Sequence, residues 1–134
     1  MAVENLEIVR QFLAEVNEKN LAGALGRVAP DAVLDWSDSQ APDGGLFHGR
    51  DAWGKWMEGR WESLVDATFD TSELVDVPPD AVVLVAYMRG RGRASGLQTE
   101  ALGAGVFTLR DGSIARLRLY QTRAEAFKAV GLAT

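Results

Sequence analysis

A chain of 134 residues, 47% hydrophobic and 25% charged, fits one globular domain spanning 1–134 whose core needs no covalent staple. It has no cysteine and one histidine, His48, which excludes disulfides, thiolate chemistry and any cysteine or two-histidine metal site within one chain. The net charge of −5 is a cancellation, because residues 1–80 carry 16 acidic and 6 basic side chains and residues 81–134 carry 3 and 8.

In chain order, Val3, Leu6, Ile8, Val9, Phe12, Leu13 and Val16 recur at helical spacing and predict a helix over 3–18. Asn20 is a good N-cap for a short helix over 21–28, which Pro30-Asp31 ends. Residues 32–36 read as a short strand. Residues 37–49 follow as a loop of a length that often carries function. A third helix over 50–64 lines up Trp53, Trp56, Met57, Arg60, Trp61 and Leu64 on one stripe. The period then changes to two. Strands are expected at 66–77, 81–93, 97–110 and 113–121. Ser95-Gly96 and Asp111-Gly112 close hairpins, and a last helix over 123–131 stops at Gly131. Helices early and an antiparallel meander late define an α+β chain.

A two-residue turn at Ser95-Gly96 would put Leu84, Ala86, Met88 and Gly90 on one face with Ala101, Gly103, Gly105 and Phe107. That face is apolar and small, and it is assigned to the interior. Either it lines a ligand cavity or the tryptophans of the third helix fill it. The other face carries Tyr87, Arg89, Arg91 and Arg93, with Arg91 opposite Glu100. A three-residue turn would exchange the two faces.

Several words in the sequence carry a resemblance. They are Val9-Arg10-Gln11-Phe12-Leu13 with Asn17 to Leu21, Pro30-Asp31, Gly45 to Ala52, Asp111-Gly112-Ser113-Ile114, and Tyr120 with Arg123 to Ala126. In this order they resemble the SnoaL-like branch of the nuclear-transport-factor-2-like superfamily, in an actinobacterial-type subset with the ketosteroid-isomerase-like fold. The resemblance implies a cone-shaped curved sheet, mixed or antiparallel, wrapped around three helices, with a short C-terminal helix. It also implies a pocket inside the cone and a homodimer through the outer sheet face. It does not fix the reaction, because this fold hosts isomerases, cyclases, hydrolases and non-enzymes. The catalytic positions of the ketosteroid-isomerase branch fall on Phe12, Trp36 and Gly105, so that branch's mechanism does not carry over. The residues after Tyr120 are Gln121 and Thr122, where many SnoaL-like relatives have an aspartate.

Two candidates for acid–base chemistry remain, Asp38 just past the first strand and His48 at the end of its loop. The expected pocket comprises Phe12, Leu34, Trp36, Trp53, Trp56, Met57, Trp61, Ala86, Met88, Ala101, Gly103, Gly105, Phe107 and Tyr120. The expected ligand is a small, largely apolar molecule, with no cofactor and no metal. A non-catalytic binding domain is the alternative to an enzyme. An acidic chain with few aromatics near its arginines is a poor nucleic-acid binder. No apolar run is long enough to span a membrane and no leader pattern is visible, so a cytoplasmic location is expected. The expected homodimer contact is formed by Tyr87, Arg89, Arg91 and Glu100, with Glu62, Asp66, Asp70 and Glu73 as acids a second copy would offer.

Overall fold

The computed structural model describes residues 2–37 and 45–133. Two helices open the chain, α1 (Ala2–Asn17) and α2 (Leu21–Leu25). The Asn20 side chain accepts the Gly23 N–H at 3.0 Å and starts α2 as expected. Strand β1 (Val28–Asp35) begins earlier than the sequence suggested. Val28 and Ala29 are buried, and the Ile114 N–H donates to the Arg27 carbonyl, so the chain is already extended there. Pro30 is tolerated because the pairing of β1 with its neighbour is irregular between Val28 and Val33. A short β2 (Leu46–His48) follows and pairs antiparallel with β1. It lies inside the segment read as loop.

Helix α3 (Arg50–Ser63) starts at Gly49, whose φ of +90° suits glycine. Strands β3 (Leu64–Val77), β4 (Ala81–Gly92), β5 (Gln98–Arg110) and β6 (Ser113–Tyr120) form the meander, and α4 (Arg123–Ala129) ends it. The six strands make one curved, unclosed sheet in the order β2-β1-β6-β5-β4-β3. Every neighbouring pair is antiparallel except β1 with β6, which is parallel. No described helix is long and apolar enough to cross a membrane.

Asp111 and Gly112 both have positive φ, +52° and +79°, and form the tight turn expected between β5 and β6. The turn between β4 and β5 differs. Gly92 and Leu97 close it with a hydrogen bond of 2.9 Å, leaving four residues in the turn rather than two. The register therefore slides by two residues. Arg89, not Arg91, lies opposite Glu100, and Arg91 faces Gln98. A slide of two keeps every side chain on its face, so the inside–outside assignment survives.

The concave face carries Val82, Leu84, Ala86, Phe107 and Leu117, which pack on α1 and α3 through Val9, Phe12, Trp53 and Met57. The convex face has its own smaller core. Ala126 and Phe127 of α4 cover Val83, Val85, Ala104 and Val106.

Candidate functional site

Two small cavities lie between the concave face and the helices. The first, about 40 Å³, is walled only by apolar side chains, among them Phe12, Leu34, Trp53, Trp56, Met57 and Phe107. The second, about 30 Å³, lies towards the open end of the cone and is bounded by Trp36, Ala86, Met88, Gly103, Gly105 and Tyr120. Phe69, Leu84 and Leu119 border both and form the partition between them. A single water needs roughly 10–15 Å³ and two or more polar partners. The first, lined without polar atoms, is therefore dry, and an organic ligand needs the partition to move.

Helix α1 sets the position of that partition. The Asn17 amide donates to the Phe69 carbonyl at 3.0 Å and accepts the Phe69 N–H at 2.8 Å. One side chain thus clamps the backbone of β3 to the end of α1. The other walls are fixed by ring contacts and one hydrogen bond. Phe12 meets Trp53 and Phe107 edge-on at 6.2 and 5.9 Å between centroids. The Trp53 indole N–H donates to the Ala32 carbonyl at 3.2 Å.

At the open end, Trp36 and Trp56 meet edge-on at 5.5 Å. The Arg60 guanidinium stands 5.7 Å from the Trp36 ring, 5.4 Å from Trp56 and 5.7 Å from Phe69. It is half-buried and is not a wall of either cavity, so it sits on the outer side of these rings. The Trp56 indole N–H is buried and has no acceptor among the described residues.

Most of the expected pocket residues meet here, and three expected site residues do not border either cavity. Ala101 keeps the concave register opposite Met88, but it is exposed beyond the cavity. Trp61 packs half-buried against the edge of the core and borders an open recess with Lys19, Glu58, Glu62 and Arg93 rather than either cavity. His48 pairs with Val33 on the opposite face from Leu34 and is exposed, so it does not reach the cone interior. Asp38 lies outside the described residues. Tyr120 is shared. It pairs with Ala104 and packs with the α4 cluster, yet it also borders the second cavity.

Sequence reasoning missed two residues placed at or beside these cavities. Phe69 lies just after an irregularity in β3, near Asp66 with φ +56°, which breaks the simple alternation that would have marked it. Arg60 had a signal, being the one charged residue in the stripe of the third helix.

On the convex side Asp35 is the one buried acid among the described residues. It accepts hydrogen bonds from the Ser37 hydroxyl at 2.6 Å and the Ser37 N–H at 3.1 Å, and it pairs with Arg116 at 3.1 Å and Arg118 at 3.7 Å. The Ser37 hydroxyl above all holds its carboxyl below the usual range. Burial opposes this, and the Ser37 N–H, Arg116 and Arg118 assist.

A model of the SnoaL-like domain matches residues 9–117. The chain belongs to the SnoaL-like family. No functionally curated protein matches this SnoaL-like chain. Among solved structures, Bal32a from a soil-derived mobile gene cassette superposes with a TM-score of 0.83 at 15% identity, covering 96% of this chain and 97% of the other. A Sinorhizobium meliloti protein provisionally named a polyketide cyclase gives 0.69 at 24%, covering 85% and 94%. A Mycobacterium tuberculosis protein in complex with estradiol-17β-hemisuccinate gives 0.76 at 20%, covering 90% and 95%. These likenesses establish the fold of the SnoaL-like chain.

Proposed function

We propose that this SnoaL-like domain binds a small, largely apolar molecule inside the cone, between α1, α3 and the concave face. One observation carries the reading. Two adjoining cavities, walled by aromatic and aliphatic side chains, are divided by three side chains, Phe69, Leu84 and Leu119. Displacing them would merge the spaces at the expense of packing, and burial of an apolar ligand would restore it. The names of the neighbours, a provisional polyketide cyclase and a steroid-ester complex, agree with a ligand of that kind.

Among the described residues no carboxylate or imidazole lines either cavity. Binding is therefore the favoured activity. An acid–base reaction of the cyclase, isomerase or hydrolase type would draw on Asp38, which lies outside the described residues.

Titration with 3-phenylpropanamide, followed by tryptophan fluorescence, tests the binding reading. A saturable change is expected, because Trp36, Trp53 and Trp56 all border the site. Filling the second cavity with Ala86→Leu should raise Kd at least tenfold. Equal affinity in the filled variant would remove the ligand from the cone.

We also propose that two copies associate through the convex face beyond α4. Leu102 is 48% exposed there and lies opposite Tyr87.

A further inference from the structure

The partition between the two cavities is fastened at its backbone by one side chain. Phe69 borders both spaces. It lies on β3, which ends the sheet order, so β4 is its neighbouring strand on one side only. On the other side, the half-buried Asn17 at the end of α1 takes the place of a second strand. Its amide donates to the Phe69 carbonyl at 3.0 Å, and its side-chain oxygen accepts the Phe69 N–H at 2.8 Å. A residue of a neighbouring antiparallel strand would exchange the same two bonds. Residues 68–71 keep a regular register with β4, and the pairing is irregular on both sides of them, between Val65 and Thr68 and between Thr71 and Glu73. Asp66, with φ +56°, marks the first break. Phe69 thus rides on a short panel between two breaks at a sheet edge, and Asn17 ties that panel to α1.

Asp70 of the same panel pairs with Arg89 of β4 at 2.8 Å. The panel therefore keeps to β4, and a shift that carries Phe69 out of the partition separates it from α1. Such a shift releases both bonds to Asn17. Another tie between α1 and this hairpin has no such consequence. The Asn5 amide donates to the Pro79 carbonyl at 3.2 Å, at an exposed position near the opposite end of the helix, and neither residue borders a cavity.

We propose that Asn17 is the latch of the binding site: its two bonds to Phe69 hold the partition shut in the empty protein, and the ligand lodges across both cavities with those bonds released. This rests on the binding reading above and adds the residue that sets the strength of binding. Asn17 does not touch the ligand. It is a positioning residue that acts through Phe69. The ligand has to open the latch with part of its own binding energy, so weakening the latch tightens binding even as it loosens the fold.

The opposite signs make the test. Binding of 3-phenylpropanamide is followed by tryptophan fluorescence, and thermal unfolding is measured on the same samples. Asn17→Ala should lower Tm and yet lower Kd by about fivefold or more, the scale of losing two hydrogen bonds. Asn17→Asp keeps an acceptor for the Phe69 N–H and loses the donor to its carbonyl, so its Kd should fall between the two. Asn5→Ala, which also removes a tie of α1, should leave Kd unchanged. Xenon enters a dry apolar cavity without displacing its walls, and its affinity should be the same in Asn17→Ala as in the unaltered protein. Saturating amide should also speed hydrogen exchange at the Phe69 N–H of the unaltered protein, a readout that stands if Asn17→Ala fails to fold. A Kd that rises in Asn17→Ala along with the loss of stability makes Asn17 purely structural and overturns the latch. So does an unchanged Kd, the result if the Phe69 ring merely rotates aside, or a Phe69 N–H that exchanges more slowly with ligand bound. Equal tightening of xenon overturns it too, since the loosening would then be general. All of these outcomes leave the cavity reading standing. If the amide does not bind the unaltered protein, or binds Ala86→Leu equally well, the cavity reading fails and the latch fails with it.

Discussion

Asp35 shows how one side chain can be costly to bury and still stabilise the fold. It is 6% exposed, and the Ser37 hydroxyl and N–H together with Arg116 occupy its oxygens. Replacing it with alanine removes charge-assisted bonds and leaves two arginines facing an apolar step, at a cost of about 2–3 kcal/mol. The sign of the pH dependence follows from its lowered pKa. A carboxyl held lower in the folded state than in the unfolded chain contributes fully above the unfolded value of about 3.9. That contribution is lost as pH falls through the lower folded value. Urea denaturation of Asp35→Ala and the unaltered protein should therefore show a gap that is full at pH 7 and shrinks below about pH 4. A gap that is the same at pH 7 and pH 3 would contradict the assignment. Asp31 and Glu73 are held low as well, chiefly by hydrogen bonds from Arg110 and Arg123, so acid weakens all three contacts in the same direction. None of these partners was legible in the sequence. Alternation put Asp35 on the face opposite Leu34 and Trp36, but nothing local reveals that β6 lies alongside and supplies the arginines.

At the scale of elements, α4 is a lid on the convex side, and its docking depends on few residues. Phe127 is buried against Val83, Val85 and Val106, and Arg123 lies 3.9 Å from its ring while pairing with Glu73 at 2.6 Å. Gly131, with φ +77°, ends the helix through bonds from its own N–H to the Lys128 carbonyl and from the Leu132 N–H to the Phe127 carbonyl. Phe127→Ala should destabilise the protein by about 3 kcal/mol and expose the valines beneath. Thermal unfolding and dye binding by exposed apolar surface both read this out, and a loss under 1 kcal/mol would mean that α4 is docked by its ion pair instead. The meander and its faces were legible because a period of two, Pro78-Pro79 and Asp111-Gly112 are all local signals. The turn before β5 was misjudged by two residues without harm, because an even slip preserves the faces. An odd slip would have put the arginines inside. The three residues of β2 are too few to show a period, and that is why His48 was expected at the pocket. The parallel pairing of β1 with β6 joins segments far apart in sequence and has no local signature. The cavity walls were largely readable, whereas Trp61 and Ala101 were not. Each obeys its helical or strand period, but the cone ends before reaching them.

At the scale of the whole molecule, the uneven charge takes on a different meaning. The arginines of the sheet half were expected to need acids from a second copy. Arg89 instead bridges Asp70 at 2.8 Å and Glu100 at 2.9 Å within one chain, and Arg123 takes Glu73. Two of the four acids assigned to a partner, Asp70 and Glu73, are thus used internally by arginines of the basic half. The proposed self-association then rests less on charge than on the apolar strip of Leu102 and Tyr87, with the Arg89 ion pairs as its rim. Partly exposed ion pairs of this kind contribute only about 0–1 kcal/mol each, so apolar contact has to supply most of the affinity. Sedimentation at micromolar concentration should show a dimer, and raising the salt to 0.5 M should weaken it little. Leu102→Asp should give a monomer with an unchanged far-ultraviolet circular dichroism spectrum, because the residue is 48% exposed and the sheet does not need it. Arg89→Ala should leave more dimer than Leu102→Asp. A chain that sediments as a monomer before any substitution would end the proposal. A dimer unaffected by Leu102→Asp would move the contact away from this strip.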